Sequence, residues 1–120
     1  MMKDQNTMSR LRDLANTCDE AIQQLIQQLN KGQLDGSIAL FTDIVAACYS
    51  MEASLRAMSA QYDISGMEEV IVALRGALSE LTAAYEQQQL LLAQQLAVEE
   101  VQPAYREWKE KADMLLSSSL

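Results

Sequence analysis

Apolar residues recur at steps of three and four along most of this chain, which is the spacing of one face of an α-helix. The first stripe consists of Leu11, Leu14, Cys18, Ile22, Leu25 and Leu29. Lys31 and Gly32 follow it, and a cation before a glycine is a typical helix end because glycine readily adopts the left-handed cap. The pattern predicts a first helix over about residues 8–31.

A second stripe begins after a short polar stretch. It consists of Ile38, Phe41, Val45, Cys48, Met51, Leu55, Met58 and Tyr62. Asp35 is a plausible N-cap, although Gly36 directly after it weakens the first turn. We expect a second helix over about residues 35–62.

The third helix has the clearest start. Ser65 stands three residues before Glu68, which is the spacing of a capping box in which each residue bonds the backbone N–H of the other. Apolar residues then continue at helical steps from Met67 to Tyr85. The pattern predicts a helix over about residues 66–87.

A fourth stripe is interrupted by Pro103 but keeps its phase across it. Its members are Val98, Val101, Tyr105, Trp108, Ala112 and Leu115. Because proline leaves the carbonyl of Glu99 without a partner, we expect one helix over about residues 89–116, kinked at Pro103.

The join between the third and fourth helices contains no glycine or proline. Local signals allow one helix from Met67 to Leu116, about 75 Å long. A monomer of this size cannot bury the apolar stripe of such a helix, so we expect a tight turn at residues 87–89, with dimerisation through a long helix as the alternative. The resulting fold is a single all-α domain over residues 1–120, an antiparallel up-down-up-down four-helix bundle.

Composition supports this fold and narrows the partners. The chain has 120 residues, of which 49% are hydrophobic, with only 4 glycines and 1 proline, too few for a many-stranded β fold. Its net charge of −8 argues against nucleic acid and anionic membrane. The N-terminal residues are polar and lack the apolar core of a signal peptide, so we expect a cytoplasmic protein.

Little in the sequence points to catalysis. Histidine is absent, which removes the commonest general base and metal ligand, and phosphate-loop and hydrolase motifs are missing. We expect no cofactor and no enzymatic activity. The remaining enzymatic alternative is a carboxylate site with a bound metal ion, drawn from Glu52, Glu68, Glu69 and Glu80. Arg56 and Arg75 fall at similar heights and either share an anionic ligand or pair with Glu52 and Glu80.

The two cysteines are placed to meet. If the first hairpin turns near Gly32, Cys18 and Cys48 lie at the same height, and both belong to inward stripes. They form a possible thiol pair. The alternatives are two buried thiols that act as small apolar side chains, which a reducing cytoplasm favours, and a redox-switchable disulfide.

Two groups of residues are candidates for binding a partner. Met51, Met58 and Met67 cluster near the second turn, where flexible thioethers suit an adaptable groove, and Tyr105 and Trp108 on the last helix suit an interface hot spot. Packing in the core is the alternative for all five. Several helices also carry more apolar surface than one seam requires.

Several segments resemble small all-helical domains of Gram-positive bacteria without an assigned function. They are residues 28–35, 38–44, 84–86, 91–93 and 98–103, followed by Trp108. That resemblance implies a turn before the last helix and no catalytic residue. Size, acidity and helix layout are also similar to flagellar export chaperones, which hold partner helices in the cytosol.

The function we predict is therefore recognition rather than catalysis. The first hypothesis is a chaperone-like interaction protein that binds an amphipathic partner helix along an apolar groove. The second is a self-associating structural or regulatory homodimer.

Overall fold

The computed structural model describes the backbone of residues 2–59 and 63–117 and the side chains of residues 8–59 and 63–116. All regular elements in this part of the chain are helical: α1 (Met2–Asn30), α2 (Ile38–Ala57), α3 (Glu68–Glu86), α4 (Leu90–Leu96), a π-helical turn (Ala97–Val101) and α5 (Gln102–Ser117). The last three run on from one another as a single rod, residues 90–117. The predicted all-α four-helix bundle is confirmed.

The end of α1 is the predicted one. Gly32 adopts a left-handed conformation with φ of 78°. Its N–H donates to the carbonyl of Leu29, and the N–H of Gln33 donates to the carbonyl of Gln28. This paired pattern satisfies carbonyls that the helix end would otherwise leave without partners.

The end of α3 uses the same pattern without a glycine. Gln88 takes the left-handed position with φ of 54°, and the N–H of Gln89 donates to the carbonyl of Ala84. The turn predicted at residues 87–89 is confirmed, and the continuous helix from Met67 to Leu116 is wrong. A non-glycine residue holds this strained conformation because the fourth rod packs back against α3.

The predicted start of α3 is wrong in its detail. Ser65–Met67 forms a 3₁₀ turn, and α3 begins at Glu68 without a side-chain cap. The N–H of Ser65 donates instead to Oδ1 of Asp63 at 3.0 Å, while the carboxylate of Glu68 binds Arg56. Each member of the expected capping box is engaged elsewhere.

The predicted cap and end of α2 also need correction. Asp35 lies in a 3₁₀ turn that precedes α2, and its side chain caps neither element. The helix ends at Ala57 rather than near residue 62, and Tyr62 lies outside the described residues.

The fourth rod absorbs its irregularity before the proline. Gln102 N–H donates to the carbonyl of Ala97, five residues back, which is a π-helical hydrogen bond. This extra residue changes the inward face, so Ala97 is buried and Val98 is exposed, contrary to the predicted stripe. Pro103 follows on the exposed side of the rod, and the helix runs through it.

The core occupies the space between all four rods of a bundle 46 Å long. Its most deeply buried large side chains include Ile22, Leu25, Leu29, Ile44, Met51, Leu55, Leu81, Tyr105 and Trp108. By length and composition alone, one stretch of the described chain, Asp35–Ala57, would be able to cross a membrane, a test that core helices of soluble proteins also pass. Only 33% of its most apolar window is buried, so α2 keeps apolar surface outside the core.

Candidate functional site

The methionines and aromatic residues proposed for partner binding all lie in the core. Met51, Met58 and Met67 are buried, as are Tyr105 and Trp108. None of the five offers a surface to a partner in this state of the protein. Their apolar positions mark the inside of the bundle, because a helix stripe that faces neighbouring helices has the same spacing as one that faces a partner.

Tyr105 shows how firmly this part of the core is held. Its hydroxyl donates to the carbonyl of Ala15 on α1 at 2.6 Å, and its ring stacks on Trp108 with centroids 5.8 Å apart. Burial raises the pKa of the Tyr105 phenol well above its usual range. The hydrogen bond from Tyr105 therefore holds α5 against α1.

The clearest candidate site is an open groove between α2 and α3. It has a volume of about 530 Å³ and a predominantly apolar lining, formed by Ile38, Phe41, Thr42, Val45, Ala46, Thr82, Tyr85 and Glu86. It exists because α2 packs mainly on α1 and touches α3 only sparingly. The volume lies in the usual range of ligand-binding pockets.

The floor of the groove is formed by two stacked, buried rings. Phe41 and Tyr85 are buried and stack with ring centroids 4.9 Å apart. Ser37 donates its one hydroxyl hydrogen to the carbonyl of Leu34 at 2.8 Å, so Tyr85 is the donor in the 2.7 Å bond to Ser37 Oγ. Burial raises the pKa of the Tyr85 phenol, so the hydrogen bond persists at neutral pH.

Sequence reasoning placed part of this lining in the core. Ile38 and Val45 belong to the predicted inward stripe of the second helix, yet Ile38 is 44% exposed and Val45 is only half-buried. The signal available in the sequence was the breadth of the stripe, since more apolar positions were present than one neighbouring helix covers. The position of the opening depends on the spacing of α2 and α3, which the pattern does not contain.

The surroundings of the groove carry negative charge. Residues 32–55 and 76–105 contain no lysine or arginine. Glu86 lines the groove itself, and Asp43 is exposed on α2 directly after the lining residue Thr42. The groove therefore has an apolar floor and an acidic border.

The other end of the α2–α3 interface is closed by ion pairs. Glu52, buried on α2, accepts from Arg75 Nε at 2.8 Å and from Arg56 Nε at 3.2 Å. Arg56 also donates to Glu68 at 3.0 Å, and Arg75 lies over the ring of Tyr49. Of the predicted partners Glu52 and Glu80, Glu52 binds both arginines, and Glu68 rather than Glu80 supplies the second carboxylate.

The carboxylates proposed for a metal site are dispersed or already paired. Glu52 and Glu68 bind the two arginines, and Glu69 and Glu80 are exposed. Among residues 8–59 and 63–116, no group of three or more histidine, cysteine or carboxylate side chains is arranged to hold a metal ion.

The two thiols lie together in the α1–α2 interface. The Sγ atoms of Cys18 and Cys48 are 3.9 Å apart, both side chains are buried, and both thiols are free. The pKa of Cys18 is lowered because the Cys48 thiol donates to its sulfur, and the pKa of Cys48 is raised by the same bond and by burial.

The family of the chain is known from comparison with family models. A model described as "Domain of unknown function (DUF8042)" matches residues 6–111. The chain belongs to this family. No curated protein and no solved structure matches it.

Proposed function

We propose that this DUF8042 domain is a non-enzymatic binding module that holds an amphipathic helix of a partner protein in the groove between α2 and α3. The observation that carries the proposal is the uncovered apolar groove, whose floor is formed by the stacked rings of Phe41 and Tyr85. A preformed floor favours binding because little order has to be created when the partner enters.

The dimensions of the groove suit a helix. Its lining on α2 runs from Ile38 to Ala46, two helical turns or about 12 Å. A partner helix with apolar side chains at positions i, i+4 and i+7 spans a similar length along one face. Its apolar side chains would contact Phe41, Val45 and Tyr85.

Charge favours a basic partner. The groove is bordered by Glu86, and both stretches of chain that form it lack lysine and arginine. A helix with lysine or arginine beside its apolar face would complement this border and associate faster than a neutral one. A second copy of this acidic chain, with a net charge of −8, would instead bring like charges together.

The setting we propose is a bacterial cytoplasm, where the domain shields an aggregation-prone partner helix as export chaperones do. This part of the proposal is supported by the helical architecture, the acidity and the apolar groove. Architecture alone does not determine function, so binding to the groove has to be measured before this cellular setting is tested.

The test uses a labelled synthetic helical peptide with leucines at i, i+4 and i+7 and lysines beside them. A matched peptide has glutamates in place of the lysines. Fluorescence anisotropy is expected to show binding of the basic peptide about tenfold or more tighter than that of the acidic one, with the difference shrinking in high salt. Equal affinity for the two peptides, or no binding of either, contradicts the proposal.

Two lysine substitutions on α2 locate the site. Ala46 is exposed and lines the groove, so Ala46→Lys is expected to weaken binding of the basic peptide by about tenfold or more. Ser50 is exposed on the same helix outside the groove, so Ser50→Lys, with the same change in charge, is the control. If the wild-type protein is a dimer that Ala46→Lys dissociates, the groove belongs to self-association and the proposal fails.

A further inference from the structure

The α1–α2 interface contains a pair of thiols that the proposed binding function does not use. Cys18 and Cys48 come from neighbouring antiparallel helices and are 30 residues apart in the chain, yet their sulfur atoms are 3.9 Å apart. A disulfide needs sulfur atoms about 2 Å apart. The two sulfur atoms therefore have to move about 2 Å closer for the bond to form.

The thiols are buried, but one of them is reached by a narrow crevice. The crevice has a volume of about 10 Å³, roughly that needed for one water molecule, and its lining includes Cys48, Tyr49 and Arg75. The side chains of Tyr49 and Arg75 are exposed. The crevice is about large enough for one water, so a small neutral oxidant reaches Cys48 when these two side chains move aside, and a large disulfide reagent needs a wider opening.

The two sulfur atoms also share their protons. In the contact between them either atom serves as donor, so loss of one proton leaves a thiolate that accepts a hydrogen bond from the remaining thiol. The bond lowers the pKa of Cys18 and raises that of Cys48, so the negative charge forms on Cys18, and transfer of the shared proton from Cys48 to Cys18 places it on the sulfur that the crevice reaches. This arrangement provides the nucleophile that oxidation of a thiol requires.

We propose that Cys18 and Cys48 are a reversible oxidative modification site, in which hydrogen peroxide converts the two thiols to a disulfide that cross-links α1 to α2. The Cys48 thiolate attacks one peroxide oxygen, the O–O bond breaks and hydroxide leaves, giving a sulfenic acid on Cys48. The Cys18 sulfur then attacks the Cys48 sulfur, the S–S bond forms, the S–O bond breaks and hydroxide leaves. The two thiol protons neutralise the two hydroxides, so two electrons from the sulfurs reduce one peroxide to two waters.

The test treats the folded wild-type protein with hydrogen peroxide, then alkylates it in denaturant and measures its intact mass. The expected product is a monomer about 2 Da lighter that takes up no alkylating agent and recovers both thiols after reduction with dithiothreitol. Its thermal midpoint is expected to rise, because the cross-link restricts the unfolded chain. Circular dichroism before and after treatment confirms that the helices persist.

Two single variants test the pairing. Cys18→Ala and Cys48→Ala each remove one partner, so neither is expected to lose 2 Da, and each remaining thiol instead gains oxygen or stays reduced. The proposal is overturned if the folded wild-type protein keeps both thiols under peroxide that fully oxidises a free cysteine peptide. It is also overturned if the disulfide appears only in urea or only between two chains.

Discussion

The two ends of the α2–α3 interface differ in how the helices meet. At the ion-pair end, Glu52 lies between Arg56 and Arg75, and Arg56 continues to Glu68. At the groove end, residues 38–46 and 82–86 meet at the floor, where the rings of Phe41 and Tyr85 stack. The same two helices are therefore joined at one end and leave an apolar opening at the other.

This difference is the reason that the proposed binding function is placed at the groove end. Charged side chains at the ion-pair end already have partners, and one shared carboxylate spans the gap between the helices. At the groove end Tyr85 donates to Ser37 Oγ and Ser37 donates to the carbonyl of Leu34, while the apolar walls above them remain uncovered. Uncovered apolar surface next to satisfied polar groups is the usual composition of a binding site.

The largest expected effect is loss of the groove floor. Phe41→Ala removes a buried ring that stacks on Tyr85 and is expected to lower the free energy of unfolding by about 3 kcal/mol. It should also abolish binding of the basic peptide. Urea denaturation measures the first effect, and Thr42→Ala, an exposed neighbour in the same groove, is expected to change stability by less than about 0.5 kcal/mol. A loss below about 1 kcal/mol for Phe41→Ala would show that the ring is not part of the core.

The ion-pair end should respond less strongly. Glu52→Gln removes the charge shared by Arg56 and Arg75 and is expected to lower the free energy of unfolding by about 1–2 kcal/mol, because both arginines are half-exposed and regain water. Peptide binding at the groove end should not change.

A double-mutant cycle with Arg75→Gln sharpens this prediction. The two substitutions are expected to be less than additive, and their coupling should fall in 1 M NaCl. Additive losses would mean that Glu52 contributes through packing rather than through the pair.

The smallest effect concerns the hydrogen bond beneath the groove. Tyr85→Phe removes the donor to Ser37 and is expected to cost about 1 kcal/mol at neutral pH. Because burial raises the pKa of Tyr85 in the folded protein, its contribution is complete below the unfolded value of about 10 and is lost as pH rises through the folded value.

The gap in stability between wild type and Tyr85→Phe should therefore be unchanged up to about pH 10 and shrink over the alkaline range above it. Urea titrations at each pH measure the gap. A difference that stays constant over this range would show that the phenol is equally accessible in both states. Ser37→Ala is the matched control, since it removes the other partner of the same bond.

Local physical chemistry in the sequence was sufficient for the helices and most of their ends. Gly32 predicted the end of α1, and the three-and-four spacing predicted every rod. A hairpin that turns near Gly32 places Cys18 and Cys48 at the same height, and their sulfur atoms lie 3.9 Å apart. Other local signals in the sequence were misleading. Ser65 and Glu68 have the spacing of a capping box, but Asp63 and Arg56 compete for the same groups and prevail.

The residues that line the groove were harder to predict, because the spacing of an apolar stripe does not indicate which surface packs against it. Met51 and Trp108 have the spacing expected of either a core or an interface, and the bundle buries both. Ile38 and Val45 have the same spacing and line the groove. The distinction depends on the separation between α2 and α3, which results from contacts between residues far apart in the chain.

By itself, the sequence determined an acidic all-helical bundle with its first turn near residue 32, because helix periodicity and the glycine cap depend on near neighbours. The turn near residue 88 has no glycine or proline and was predicted from the length of helix that a monomer can bury. Only the tertiary structure decided that α2 lies close to α1 and apart from the end of α3, and that Glu52 joins two arginines from different helices. Those features depend on how the apolar faces of the four rods pack into one core, because each helix buries only the part of its surface that its neighbours contact.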